Sequence, residues 1–133
     1  MRSMPTEYSK RLPELATLRM RVALVGMQLV RVPHPCYKVF YRINLLNEGR
    51  GSVRLLGRKW QLEDTTGLVR IVQAERVFNS EPVLSPGAVF SFSGCQCFDK
   101  PPVYMGLSLF GQDGAGRPFM TPQMAVPLAP PQE

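Results

Sequence analysis

The sequence predicts a single all-β sandwich of about seven short antiparallel strands. Thirteen prolines and eleven glycines are spread along 133 residues; each proline removes a backbone donor and each glycine adds chain entropy, which disfavours long helices. Several segments alternate apolar and polar residues with a period of two, the pattern of a strand with one buried face. Turn-forming residues separate these segments at short intervals. At this length one core, and therefore one domain, is expected.

Residues 1–18 are expected to form an N-terminal tail. Arg2, Lys10, Arg11 and Arg19, set among Ser, Thr and Leu, give this end some of the composition of a mitochondrial presequence, but Glu7, Glu14, Pro5 and Pro13 interrupt the amphipathic helix such a segment needs. The folded domain is expected over 19–128. Arg21 to Val32 is apolar, β-branched and free of acids, which predicts a first strand with a bulge at Gly26. Pro33, His34 and Pro35 then force an extended break. From Cys36 onward Val39, Tyr41, Ile43 and Leu45 share one face, and Lys38, Phe40, Arg42 and Asn44 the other.

Asn47 to Ser52, with Gly49 and Gly51, has the chemistry of a hairpin loop. A third strand is expected from Val53 to about Glu63, a tight turn over Asp64 to Gly67, and a fourth strand over Leu68 to Val72. Glu81 to Gly87 reads as a proline-marked loop before a strand at Ala88 to Ser93. After a break at Lys100 to Pro102 come Tyr104 to Phe110, the glycine-rich turn Gly111 to Gly116, and a last edge strand over Arg117 to Leu128. Residues 129–133, rich in proline, are expected as a C-terminal tail.

Charge narrows the partner. The net charge is +6, and residues 1–60 hold twelve Lys or Arg against three Glu, while 61–133 hold four against seven acids. Clustered cations reward phosphate neutralisation, so an anionic partner such as RNA is expected, although strands intermix in a sandwich and sequence halves are not surface halves. No apolar run is long enough to cross a bilayer, so no membrane role is expected. Three cysteines, an odd number, argue against a secreted disulfide framework and for a reducing intracellular compartment, mitochondrial or cytoplasmic. A bridge from Cys36 to Cys95 or Cys97 stays open.

The run Val53-Arg54-Leu55-Leu56-Gly57-Arg58-Lys59-Trp60, followed by Asp64 and Gly67, resembles the central signature of the ApaG family. Asn47-Glu48-Gly49 ahead of it, Glu81-Pro82-Val83-Leu84-Ser85-Pro86-Gly87 after it, and Met105-Gly106 with Asp113-Gly114 stand in the family's order. The resemblance implies an immunoglobulin- or fibronectin III-like sandwich used as a partner-binding module, without established catalytic residues. Some members carry a Gly-x-Gly-x-x-Gly stretch for which pyrophosphate or nucleotide binding has been proposed. Here the aligned segment is Ala74-Glu75-Arg76-Val77-Phe78-Asn79, with no glycine to let backbone amides approach a phosphate, so no nucleotide site is expected there.

No catalytic constellation is visible, and neither a cofactor nor a small-molecule substrate is expected. His34 is the only histidine; with Cys36, Cys95 and Cys97 it makes a zinc set that is chemically possible but matches no known spacing, so no metal is expected. Glu63, Asp64, Asp99 and Asp113 fall in or beside turns, where caps are the ordinary role. Trp60 is expected as the core anchor. Arg58, two residues before it, is expected to brace the structure, turned outward by a bulge at Gly57 or packed by its stem with its head on carbonyls or a carboxylate; Gly57 and Leu56 belong to the same structural run. The binding candidates are Lys38, Phe40, Arg42, Arg50, Arg54 and Lys59, expected to converge on one rim with Tyr37 as a second flat surface. The function expected is a non-catalytic protein- or RNA-interaction module, a subunit or adaptor of a larger assembly such as a mitochondrial or ribosomal ribonucleoprotein. The alternatives are a phosphate- or nucleotide-binding domain with hydrolytic activity, and a substrate adaptor in protein turnover.

Overall fold

The computed structural model describes residues 12–31, 33–75 and 81–128. The strands among the described residues, in chain order, are β1 (Leu18–Val30), β2 (Cys36–Asn47), β3 (Val53–Asp64), β4 (Val69–Glu75), β5 (Val83–Leu84), β6 (Val89–Phe98), β7 (Pro102–Gln112), β8 (Pro118–Met120) and β9 (Met124–Ala125). They form a three-stranded sheet in the order β1-β2-β6 and a six-stranded sheet in the order β4-β3-β7-β8, with β5 on β3 and β9 on β7. All ladders are antiparallel. Among the described residues no helix is long and apolar enough to cross a membrane.

The all-β sandwich expected from the alternation is the observed fold. Val39, Tyr41, Ile43 and Leu45 of β2 face Leu55, Trp60 and Leu62 of β3 and Met105, Leu107 and Leu109 of β7, all essentially excluded from solvent. Burying a Leu, Val or Met side chain contributes about 1.5–3 kcal/mol, so this seam is the main source of stability. Trp60 is its largest member, with its ring centroid 4.8 Å from that of Tyr41.

Three local expectations change. Asn47 to Ser52 is no hairpin, because β2 pairs with β1 and β6 while β3 pairs with β4, β5 and β7. The buried Asn47 directs the crossing from one sheet to the other: its Nδ2 donates to the carbonyls of Gly51 and Leu84, both at 2.9 Å, and its Oδ1 accepts from the Gly49 N–H at 3.0 Å. Secondly, β6 runs five residues beyond Ser93, to Phe98, held in register by β2. Thirdly, the final strand is split into β8 and β9 at Thr121–Gln123, where Pro122 has no N–H to give a ladder and Thr121 instead exchanges hydrogen bonds with Leu109.

Two bulges control which residues face outward. β1 shifts register between Leu24 and Gly26, as expected at Gly26. β3 shifts between Leu55 and Gly57, so Leu56 is the extra residue. Val53 and Leu55 point inward before it, Trp60 and Leu62 after it, which changes the parity of the strand. In the segment expected as a tail, Met120 N–H donates to the Pro13 carbonyl and Leu15 N–H to the Met120 carbonyl, at 3.0 and 3.1 Å.

Candidate nucleic-acid interface

The outer face of the three-stranded sheet follows directly from the alternation that buries its inner face. On β2 the outward residues are Lys38, Phe40, Arg42, Asn44 and Leu46. Across the ladders, Arg19 opposes Leu46, Arg21 opposes Asn44 and Ala23 opposes Arg42 on the β1 side. Cys97 opposes Lys38, Cys95 opposes Phe40, Ser93 opposes Arg42 and Ser91 opposes Asn44 on the β6 side. The three strands carry Arg19, Arg21, Lys38 and Arg42 and no Asp or Glu. Arg19, Arg21 and Arg42 are exposed, while Lys38 and Phe40 are half-buried with their stems on the sheet. Among the described residues, acids stand at the borders of this face: Glu48, 2.9 Å from Arg19, and Asp99, just past β6.

The six-stranded sheet is different. Arg54 and Lys59 lie on its outer face, on either side of the Leu56 bulge, and share β3 with Glu63 and Asp64. Arg50 is exposed in the β2–β3 connection, in a shallow depression shared with Ser52, Asp113 and Arg117. The six expected binding residues therefore fall into three places rather than on one rim. Lys38, Phe40 and Arg42 are together, Arg54 and Lys59 occupy the opposite broad face, and Arg50 sits at one end. Arg19 and Arg21, which complete the basic face, are visible in the sequence only once β1 is known to pair with β2.

Arg58 shares the inner side of β3 with Trp60, since the bulge precedes it, and its Nη1 donates to the Tyr41 hydroxyl at 3.1 Å. Its partner is thus a phenol in place of the carbonyl or carboxylate expected. Burial raises the Tyr41 pKa above its ordinary value of 10.0, opposed by the Arg58 charge and then by the side-chain hydrogens of Gln96 and Trp60. The buried Trp60 Nε1 meets no acceptor at hydrogen-bonding geometry. Gly57 is required by crowding: a Cβ there would strike the Ala74 carbonyl and the Phe110 ring.

Asp64 and Asp113 are caps. Asp64 accepts from the Thr66 N–H at 2.8 Å, and Asp113 accepts from the Ala115 and Arg117 N–H groups, both at 2.9 Å. The Thr66 hydroxyl first, for Asp64, and the Arg117 N–H first, for Asp113, hold these carboxyls below their ordinary range. Cys36, Cys95 and Cys97 are free thiols on the outer side of the three-stranded sheet. Burial, then Cys97, pushes the Cys95 thiol pKa up, so this thiol is the less reactive for it. Among the described residues no group of three or more His, Cys, Asp or Glu is arranged to hold a metal ion. Of the segment lacking the glycines, Ala74 ends the described part of β4 with Glu75, and 76–80 lie outside the described residues.

A family model for the ApaG domain matches residues 31–107, more than half of the chain. The chain belongs to the ApaG-domain family. Among proteins named ApaG, one from Brucella suis biovar 1 is 36% identical over 77 residues, covering 56% of this chain and 59% of the relative. One from Maricaulis maris is 32% identical over 79 residues, covering 59% of this chain and 61% of the relative. The matched part thus spans about three fifths of the length of these relatives. Among solved structures, the Northeast Structural Genomics Consortium target SoR45 superposes with a TM-score of 0.70 at 19% identity, covering 89% of this chain and 95% of that one. A Bordetella pertussis protein described as ApaA gives 0.64 at 18% identity, with 86% and 95% covered. These likenesses show the same fold over a larger share of the chain than the family match covers. Arg19 and Arg21 lie outside residues 31–107, so half of the cations on the basic face fall outside the matched segment.

Proposed function

We propose that this ApaG domain is a non-catalytic interaction module that docks an anionic partner on the outer face of its three-stranded sheet, as a subunit or adaptor of a larger assembly. The observation that carries the reading is the charge segregation: four cations and no acid on β1, β2 and β6, against mixed charge on β3. Isolated surface charges in water are worth little, but several of one sign on one face add into a field that selects and orients a partner. The Asp64 and Asp113 carboxyls, committed to backbone N–H groups, are poor candidates for acid–base work, which favours binding over hydrolysis. Three free thiols suit a reducing compartment, the mitochondrial matrix or the cytoplasm.

Affinity purification of the full chain, with and without nuclease, beside the double variant Arg21→Glu/Arg42→Glu, tests this. Wild type is expected to bring down a defined set of neighbours, and the double variant to lose most of them while keeping its melting temperature. Recovery of the same neighbours by both would overturn the reading.

A further inference from the structure

The cations on this face are ordered. Projected along β2, Lys38, Phe40 and Arg42 occupy successive outward positions, and the ladder places Arg21 beside Asn44 and Arg19 beside Leu46, the next two. Five side chains therefore follow one another at every second residue, about 6.8 Å apart and about 27 Å end to end, with one sideways step of about 4.8 Å from β2 to β1. Four carry positive charge, and the second is aromatic. Phe40 has an open flank: Gly26 lies directly across from it, and a Cβ placed at Gly26 would have no atom within 4 Å. On the other side stand the small residues Cys95 and Ser93.

The geometry points to a single-stranded polynucleotide as the occupant, its phosphates following the row and one base stacked on Phe40 in the notch at Gly26. This rests on the reading of the face as the docking surface for an anionic partner. A duplex is disfavoured on shape. Its phosphate strands wind around the helix axis and away from a row along one strand, and a three-stranded sheet face offers neither a helix nor a two-stranded ribbon to enter a major groove. A single strand can lie flat and turn a base onto an aromatic ring, an interaction indifferent to base identity. An acidic protein surface would satisfy the cations but would leave the open flank of the half-buried Phe40 at Gly26 unused. RNA and single-stranded DNA share the chemistry named here.

The test is fluorescence anisotropy of the full chain with labelled single strands of RNA and of DNA of about ten nucleotides, and with an RNA duplex. Wild type is expected to prefer single strands, with log affinity falling against log salt at a slope of about −2 to −3, since each neutralised phosphate contributes about −0.7. Phe40→Leu, which keeps the apolar body and removes the stacking face, is expected to lose about tenfold with an unchanged salt slope. Gly26→Val, filling the notch, should do the same. Arg21→Glu/Arg42→Glu should lose more and flatten the slope. Preference for RNA over DNA would identify the natural strand. Equal binding of duplex, unchanged affinity in both Phe40→Leu and Gly26→Val, or no binding of either strand by wild type at low salt would each overturn the inference. If wild type ignores both strands while the double charge variant still loses its cellular neighbours, the face docks an acidic protein and only this inference falls. If the double variant keeps those neighbours, the docking reading falls with it.

Discussion

Among the described residues Tyr41 is the fully buried member of the apolar seam whose side chain can acquire charge. Its hydroxyl accepts from Arg58, its ring lies against Trp60, and Gly94 opposite has no side chain because a Cβ there would collide with the phenol. Because burial raises its pKa in the folded chain, the neutral phenol is the form that folding favours. The corresponding stability is complete below pH 10.0 and is lost as the pH climbs from there through the raised value. An ultraviolet phenolate titration followed alongside circular dichroism is therefore expected to show a tyrosine that ionises late, together with loss of the fold; ionisation of Tyr41 at an ordinary pH in an intact fold would contradict this. Nothing in the sequence around Tyr41 announces its partner, since Arg58 lies on a strand of the other sheet. The spacing of Arg58 from Trp60 leaves two orientations open, outward through a bulge at Gly57 or inward with its stem packed, and the register shift ahead of Gly57 puts it on the inner side.

At the scale of the strand, β3 shows what alternation can and cannot disclose. Its apolar residues change parity between Leu55 and Trp60, and the extra residue responsible is Leu56. Gly57 follows it because the chain passes too close to the Ala74 carbonyl and the Phe110 ring to carry a Cβ. Gly57→Ala is expected to cost about 1–3 kcal/mol or more, as overpacking against backbone does, read as a lower urea midpoint. Gly26→Ala, at the β1 bulge where nothing lies within 4 Å of the new Cβ, is the matched control and should stay within about 0.5 kcal/mol of wild type. Both bulges leave traces in the sequence, a glycine beside a break in the period. The sheet crossing at Asn47 leaves none, because asparagine and glycine serve a hairpin equally well, and long-range bonds, from the Asn47 side chain to the Leu84 carbonyl and between its backbone and that of Gly87 and Ala88, decide between them. The extension of β6 through Gly94–Phe98 was hidden for a related reason: its residues gain their strand character from β2 rather than from their own propensity.

For the molecule as a whole, the sandwich was legible because periodicity is local, whereas the basic face was not, because it depends on which strands are neighbours. Lys38, Phe40 and Arg42 are recognisable from β2 alone. Arg19 and Arg21 join them through the β1–β2 ladder, and Arg54 and Lys59 leave them through the assignment of β3 to the other sheet. Across the open side of the sandwich, Arg70 of β4 donates to the Cys97 carbonyl of β6 at 2.6 Å, with its guanidinium centre 5.4 Å from the centroid of the Phe98 ring. Among the described residues, cations stand alone on one broad side and mix with acids on the other, an electric polarity perpendicular to the sheets. Such a body rotates as it diffuses toward an anion and arrives correctly oriented, so the association rate constant should fall steeply with ionic strength. Stopped-flow mixing of Phe40→Leu with a polyanion should show this steering intact, with the lost affinity appearing as faster departure; a slower arrival instead would mean that the aromatic ring, and not the field, governs capture.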